Sequence, residues 1–221
     1  AEEAFEHSAL LHRMCGGRLV NLTECRRADG LLFEFYGSLI AGGSRFEIPL
    51  AQAVSEARSL FHSGGSRALP PVRWNLVISH AKRVQLNRKL NLHYSKGKEV
   101  TRLRVTGMAL RGNAQQCMLL WVGLQLLGCG GSVKNQVLYT IKEISEEKEQ
   151  LWLEGVPKPL SFAQVRGCLR LSFAQTFASV QGTQYEEALR LHDCKHKFFT
   201  RKMLFVGLSR SRSGALVSVV D

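Results

Sequence analysis

The chain has 221 residues, 45% of them hydrophobic, and carries a formal net charge of +12. This length and composition suit one large domain, or one domain with a smaller insert, around a hydrophobic core. The excess of Lys and Arg favours an anionic partner, most commonly nucleic acid, over a charge that only aids solubility.

Several classes of protein are excluded by what the sequence lacks. No run of about 18 apolar residues occurs, so we expect no transmembrane helix and no membrane partner. The acidic start lacks the basic region of a signal peptide, and the missing initiator Met predicts a fragment of a longer protein. None of the 6 cysteines forms a CxxC pair or shows zinc-finger spacing, which predicts free thiols in a reducing, intracellular compartment and no bound metal.

The first hundred residues alternate between strand and helix patterns. Asp29 is a candidate N-cap, and Gly42-Gly43 is a candidate helix end. The predicted elements are strands at residues 18–22 and 74–79 and helices at residues 30–41, 50–62 and 81–92. Such alternation favours an α/β layer with a parallel sheet.

From Gly97 the pattern changes to short apolar segments separated by turn residues. Strands are predicted at residues 103–110, 117–122, 137–144 and 150–153, and together they suggest a small antiparallel β-barrel. After Pro157-Lys158-Pro159, helical signals resume beyond Leu171, followed by a strand at 188–191, a helix at 201–208 and a strand at 215–220. We therefore divide the chain into residues 1–97, an insert at 98–160, and residues 161–221.

The positive charge is concentrated in two segments. Residues 80–104 hold eight Lys or Arg and one acid, and residues 190–212 hold seven and one, whereas residues 142–154 are acidic. Two basic segments favour a track for a phosphate backbone, with Lys82, Arg83 and Arg88 as candidate contacts. The alternative is that these segments are simply solvated helix faces.

Two short signatures near the C-terminus point to phosphate chemistry. One is Thr-Phe-Ala-Ser-Val-Gln-Gly at residues 176–182, and the other is an apolar run that ends in Ser-Arg-Ser-Arg at residues 209–212. An Arg fixed at the end of a packed element presents a forked, permanently charged head that matches phosphate oxygens. Arg210 is therefore a candidate phosphate ligand, although an Arg after a helix also interacts favourably with the helix dipole.

Four blocks of the chain, in order, resemble superfamily 1 helicases of the 5′-to-3′ type, in the petite-integration-frequency and RecD-like branch. They are residues 22–33, the strand and helix at 76–91, the segments 118–127 and 134–144, and the two C-terminal signatures. The resemblance implies a RecA-like parallel-sheet domain, the second of the motor, with an inserted SH3-like β-barrel. It also implies roles in DNA repair, recombination and telomere maintenance, at a nuclear, viral or organellar replication site.

The resemblance assigns roles to individual residues. Arg27, or its neighbour Arg26, and Arg210 match arginines of the ATP cleft. Gln181 and Gly182 match nucleotide-binding positions, while Thr176 and Ser179 match DNA contacts, with Ala178-Ser179 standing where the family has His-Lys. The implied partners are single-stranded DNA and an N-terminal RecA-like half, with ATP and Mg²⁺ bound by the complete motor.

The motifs that grip a nucleotide are missing from the sequence. No G-x-x-x-x-G-K-[ST] loop occurs, and no strand candidate ends in an Asp-Glu pair for Mg²⁺. We therefore expect the C-terminal half of a DNA helicase, which binds no cofactor stably and is inactive alone. The alternative is a non-catalytic nucleic-acid-binding protein, a degenerate helicase remnant, and a third reading is a structural interaction module.

Overall fold

The structure, a computed structural model, describes residues 9–14, 16, 27–61, 71–104, 116–180 and 182–220; the strand predicted at residues 18–22 lies outside them. In chain order the helices are α1 (Ala9–Met14), α2 (Gly30–Gly37), α3 (Leu50–Leu60), α4 (His80–Tyr94), α5 (Phe162–Cys168) and α6 (Arg201–Leu208). The strands are β1 (Trp74–Val77), β2 (Thr101–Leu103), β3 (Met118–Leu120), β4 (Gln125–Gly128), β5 (Leu138–Ser145), β6 (Gln150–Leu153), β7 (Leu160–Ser161), β8 (Leu169–Leu171), β9 (Ala174–Thr176), β10 (Leu189–Leu191) and β11 (Val217–Val219).

A parallel sheet organises one part of the molecule. Its four strands follow the order β11-β10-β1-β9. Strands β1, β9 and β11 are buried along their whole length, as expected for parallel strands covered on both faces. The predicted α/β layer with a parallel sheet is therefore confirmed.

Helix α2 begins as predicted but ends earlier. The Asp29 side chain accepts a hydrogen bond from the Leu32 N–H at 2.8 Å and so caps the first turn. The helix stops at Gly37, and the chain folds back instead of continuing to Gly42-Gly43. Gly43 packs against the backbone of Ser38 so closely that a Cβ would lie 2.5 Å from the Ser38 carbonyl oxygen. The glycine therefore marks a tight return of the chain and not the helix end.

Helix α6 packs closely on the sheet. Its predicted bounds, residues 201–208, are confirmed. Gly207 makes the close approach achievable, because a Cβ there would meet Leu191 at 2.9 Å and Phe177 at 3.0 Å. One hydrophobic core forms where the parallel sheet meets α2, α3 and α6, and it includes Leu32, Leu76 and Leu204, each 0% exposed.

Helix α4 connects the parallel sheet to the antiparallel part of the chain through two buried asparagines. The Asn87 amide donates to the Ala174 carbonyl at 3.1 Å, and its oxygen accepts from the Ala174 N–H at 2.9 Å. Asn91, one turn later, makes the same paired contacts with the backbone of Leu119, at 2.9 and 2.8 Å. Asn87 thus provides hydrogen-bond partners for backbone groups at the outer edge of β9, the last strand of the parallel sheet.

The antiparallel part consists of a five-stranded sheet in the order β7-β6-β5-β4-β8 and a separate β2-β3 pair. These strands form an antiparallel half-barrel around a second core, which includes Leu120, Leu126 and Leu151, each 0% exposed. Strands are confirmed in the segments 117–122, 137–144 and 150–153. Of the segment predicted at 103–110 the structure describes residues 103 and 104, and β2 ends at Leu103. Antiparallel pairing continues past residue 160, because β8 pairs with β4.

The helical signal predicted after Leu171 is wrong. Residues 174–176 form strand β9, and a single 3-10 turn, Phe177–Val180, follows it. The helix of this region, α5, comes before Leu171 and is started by a capping box between Ser161 and Gln164. Burial on all sides and pairing with β1 decide the conformation of residues 174–176.

Candidate functional site

Two arginines assigned to one cleft from sequence, Arg27 and Arg210, lie near each other in the structure. Arg27 is exposed just ahead of α2, and Arg210 follows the end of α6. Burial, and then the positive charge of Arg27, lower the pKa of Arg210. The fold therefore gathers two like charges at one place, which is the arrangement expected of a site for an anion.

Asp29 holds together the two segments that carry these arginines. Its backbone N–H donates to the Arg212 carbonyl at 2.8 Å, and its second carboxylate oxygen accepts from the Gly214 N–H at 2.7 Å. Burial raises the pKa of Asp29, but hydrogen bonds from Leu32, Ser213 and Gly214 outweigh it and hold the pKa below its ordinary value. An ionised Asp29 thus positions Arg210 relative to Arg27.

The guanidinium of Arg210 is oriented by three hydrogen bonds. Its Nε donates to the Val206 carbonyl at 3.1 Å, one terminal nitrogen to the Thr183 carbonyl at 3.3 Å, and the other to the Ser209 hydroxyl at 2.9 Å. A guanidinium carries five N–H donors, so these contacts leave one on each terminal nitrogen. Two such donors can bind two oxygens of one anion.

The loop that follows β9 is held against both arginines. The Gln184 side chain donates to the Arg27 carbonyl at 2.9 Å, and the Tyr185 N–H donates to the Arg210 carbonyl at 2.7 Å. Gly182 is exposed at this loop with φ of 89°, a left-handed conformation that glycine adopts without strain. Gln181, its predicted partner in nucleotide binding, and Arg26, the alternative to Arg27, lie outside the described residues.

Thr176 and Ser179, predicted to contact DNA, engage one another. The Ser179 hydroxyl accepts from the Thr176 N–H at 3.2 Å and donates to the Thr176 carbonyl at 2.9 Å. Thr176 is 7% exposed at the carboxyl end of β9, and Ser179 is half-buried. Ala178 is the exposed residue between them. The Ser179 hydroxyl therefore shapes the turn at the strand end by bonding the backbone of Thr176.

The three basic residues predicted on α4 have different surroundings. Arg88 is exposed, and its role as a DNA contact stays a prediction. Lys82 instead forms an ion pair with Asp193, which follows β10. Arg83 is 1% exposed, which contradicts its expected place on the surface; burial, and then the charge of Arg170, lower its pKa to about 10. The basic run in the sequence is thus not one exposed face.

Several contacts of the site gave no signal in the sequence. Asp29 was identified as an N-cap, but its bond to Gly214 depends on tertiary structure. Thr183 and Gln184 act through long-range contacts that no local pattern shows. Tyr185 is 2% exposed, its hydroxyl accepts a hydrogen bond from Gln175 at 3.0 Å, and burial raises its pKa. An aromatic residue shortly after a Gln-Gly pair was the one available hint of this anchor.

Within the described ranges, no cluster of three or more His, Cys, Asp or Glu side chains is placed to hold a metal ion. In the same part of the chain, no helix has the length and apolar character needed to cross a membrane.

Pif1 helicases are among the solved structures with a similar fold. The Pif1 helicase from Candida albicans matches 90% of this chain with a TM-score of 0.58 and 14% identity, over 55% of its own chain. Bacteroides Pif1 bound to ssDNA matches 90% with a TM-score of 0.57 and 14% identity, over 51% of its chain. Pif1 helicase from Bacteroides in complex with ADP-AlF3 and ssDNA matches 90% with a TM-score of 0.58 and 12% identity, also over 51%.

The chain therefore has a Pif1-like fold, which confirms at the level of fold the resemblance noted in the sequence. It spans about half the length of these solved structures. No protein-family model matches the chain, and no curated protein matches it. At 12–14% identity the likeness is one of fold.

Proposed function

We propose that this chain is the C-terminal motor half of an ATP-dependent DNA helicase. In this proposal it supplies Arg27 and Arg210 to an ATP cleft and forms part of a single-stranded DNA channel. The observation that carries the proposal is the placement of Arg210 beside Arg27, with one N–H on each of its terminal nitrogens left by its three internal contacts. The Pif1-like fold supports it.

Phosphoryl transfer explains why such a pair is useful. Negative charge spreads over the oxygens of the transferring group, and fixed guanidinium groups stabilise it without reorganising during the reaction. The two arginines fit the γ-phosphate of ATP, because burial and then the charge of Arg27 lower the pKa of Arg210, and an anion bound between the two arginines offsets both effects. The phosphate loop and the Mg²⁺ ligands come from the N-terminal RecA-like half, because the sequence has no phosphate-loop motif.

The nucleic-acid side of the proposal rests on the carboxyl edge of the parallel sheet. Thr176 and Ser179 lie at that edge, at the end of β9. Arg88 is exposed on α4 next to Asn87, which bonds Ala174 at the start of the same strand, and in the proposal it is a further contact away from the edge. Two of the similar Pif1 structures contain ssDNA. In our proposal the antiparallel half-barrel is the inserted SH3-like barrel, and closure of the two RecA-like halves on ATP moves single-stranded DNA along this edge.

The ATP role is tested by turnover measurements on the natural protein that contains this chain and a phosphate-loop half. Arg210→Ala should lower DNA-stimulated ATP hydrolysis by about 10³- to 10⁵-fold, the range for an arginine that stabilises a transferring phosphoryl group. Arg212→Ala is the matched control, because its side chain is 60% exposed and pairs with the equally exposed Glu186. Equal, small effects of the two substitutions would contradict the role of Arg210.

A non-catalytic nucleic-acid-binding protein is the second candidate function. It is favoured by the internal engagement of Thr176 and Ser179 and by Ala178 at the exposed position of the same turn. If the natural protein has no phosphate loop and hydrolyses no ATP, this candidate replaces the first. Salt-sensitive binding of oligo-dT by the chain alone is expected from both candidates, because each phosphate contact releases a counterion.

A further inference from the structure

The loop between β10 and α6 presents one phenylalanine to solvent and buries the next. Phe198 is 61% exposed, whereas Phe199 is 5% exposed. The Phe199 ring packs edge-on against Phe177 of the 3-10 turn after β9, with 5.5 Å between centroids. Phe199 therefore anchors the loop beside the turn that contains Ser179, and Phe198 extends from the same carboxyl edge of the parallel sheet.

The backbone of this loop is fixed by local hydrogen bonds. Asp193 has φ of 64° and accepts a hydrogen bond from the Ile78 N–H at 3.0 Å, in addition to its ion pair with Lys82. The His196 N–H donates to the Asp193 carbonyl at 2.9 Å. The Phe198 N–H donates to the His196 ring at 3.2 Å. An exposed ring on such a loop loses little conformational entropy when it binds a flat partner.

The surroundings of Phe198 are cationic. The Lys197 ammonium lies 5.0 Å from the centroid of the Phe198 ring, and Lys195 and Lys202 are exposed nearby in sequence. Asp193 is the one acid among residues 190–212, and Lys82 neutralises it. The exposed ring thus stands in a field that attracts anions.

An exposed phenylalanine among lysines favours nucleic acid over protein as the partner of this loop. Lysine is depleted from the buried centre of protein interfaces, so a lone phenylalanine among lysines is poorly suited to contact another protein. Single-stranded nucleic acid offers what the loop matches, a polyanionic backbone beside bases with exposed aromatic faces.

We propose that Phe198 stacks on an unpaired base of single-stranded nucleic acid while Lys197 contacts its phosphates. The proposal rests on the nucleic-acid role given above and adds a base-contacting residue outside the motifs that match the helicases. Stacking on an aromatic side chain tolerates any base, so Phe198 adds affinity without sequence preference.

The test compares two labelled oligonucleotides with the same number of phosphates, an oligo-dT and an abasic strand, by fluorescence anisotropy. The unsubstituted chain should bind oligo-dT more tightly than the abasic strand. Phe198→Ala should weaken oligo-dT binding by about 5- to 150-fold per stacked base and leave abasic binding and its salt dependence unchanged. Phe198→Trp should retain the preference for bases. Phe33→Ala, at another exposed phenylalanine, should change neither affinity.

The outcomes separate this proposal from the proposed function. If the unsubstituted chain binds both strands and Phe198→Ala binds them equally well, stacking by Phe198 is overturned and the nucleic-acid role stands. The same conclusion follows if Phe198→Ala weakens both strands equally, which indicates a protein contact or a structural role for the ring. If the unsubstituted chain binds neither strand at low salt, both proposals fail. Circular dichroism of each variant confirms that it is folded.

Discussion

The carboxylate of Asp29 accepts a hydrogen bond from the backbone N–H of Gly214, which lies 185 residues away in the sequence, at 2.7 Å. The same carboxylate caps helix α2. One side chain therefore fixes the start of the described α/β layer to the segment that leads into its last strand, with Arg27 and Arg210 on either side of the junction.

Replacing Asp29 should destabilise this junction. Asp29→Ala removes the cap, worth about 1 kcal/mol, and leaves the Gly214 N–H without its acceptor, which adds about 1–3 kcal/mol. Asp29→Asn keeps one acceptor oxygen and should cost less. Urea unfolding measures both losses, and Glu34→Ala, at an exposed position of the same helix, is the control. A loss no larger than that of Glu34→Ala would show that the junction is held by other contacts.

Replacement of Asn87 should destabilise the fold more than replacement of an exposed polar residue on the same helix. Its side chain satisfies both backbone groups of Ala174 at the buried edge of β9. Asn87→Ala leaves each group unpaired, at a cost of about 1–3 kcal/mol for each one. Gln85→Ala, an exposed position on the same helix, should shift the free energy of unfolding by less than about 0.5 kcal/mol. Equal midpoints of urea unfolding for the two variants would contradict the bridging role of Asn87.

His192 should make the stability of the fold depend on pH. Its Nε2 lies 2.9 Å from the Asn75 side-chain oxygen; burial, and then the charges of Lys82 and Arg190, lower its pKa from 6.5 to about 4. Between these values the unfolded chain binds a proton that the folded chain does not. Stability should therefore fall as the pH drops from about 6.5 to about 4, by up to about 1.4 kcal/mol per pH unit.

Substitution of His192 separates this effect from other titrations. His192→Gln keeps a donor for Asn75 and removes the ionisable ring, so the slope of unfolding free energy against pH should decrease in that window. His93→Gln, at an exposed histidine of α4, serves as the comparison. If the slope persists in His192→Gln and is lost in His93→Gln, the pH dependence comes from His93, and the prediction for His192 is wrong.

The sequence predicted the elements whose local signals agree with their surroundings. Helix α6 was placed at its observed bounds, because an apolar run with helical spacing is followed by polar residues. Strand β9 was missed, because residues 174–176 carry no strand signal of their own and are decided by burial and by Asn87. Arg83 was misplaced, since a charged residue in a basic run is ordinarily exposed and this one is 1% exposed.

In the candidate site, too, the sequence identified some residues but not the contacts that bring them together. Resemblance to helicases singled out Arg27 and Arg210, but the contacts that bring them together involve the Thr183 carbonyl, the Gln184 side chain and the Asp29 carboxylate. These contacts join residues distant in sequence, and periodicity and spacing report only on neighbours. Tertiary structure was needed to find them.

The bond from Arg210 to the Thr183 carbonyl has a mechanical consequence. Thr183 follows Thr176, at the strand end, by seven residues, and the Ser179 hydroxyl and the Thr183 N–H tie parts of this short span to its own backbone. If nucleic acid binds at the end of β9, as proposed above, it contacts the same loop that orients the Arg210 guanidinium. Binding at one place would then change the orientation of the charged group at the other.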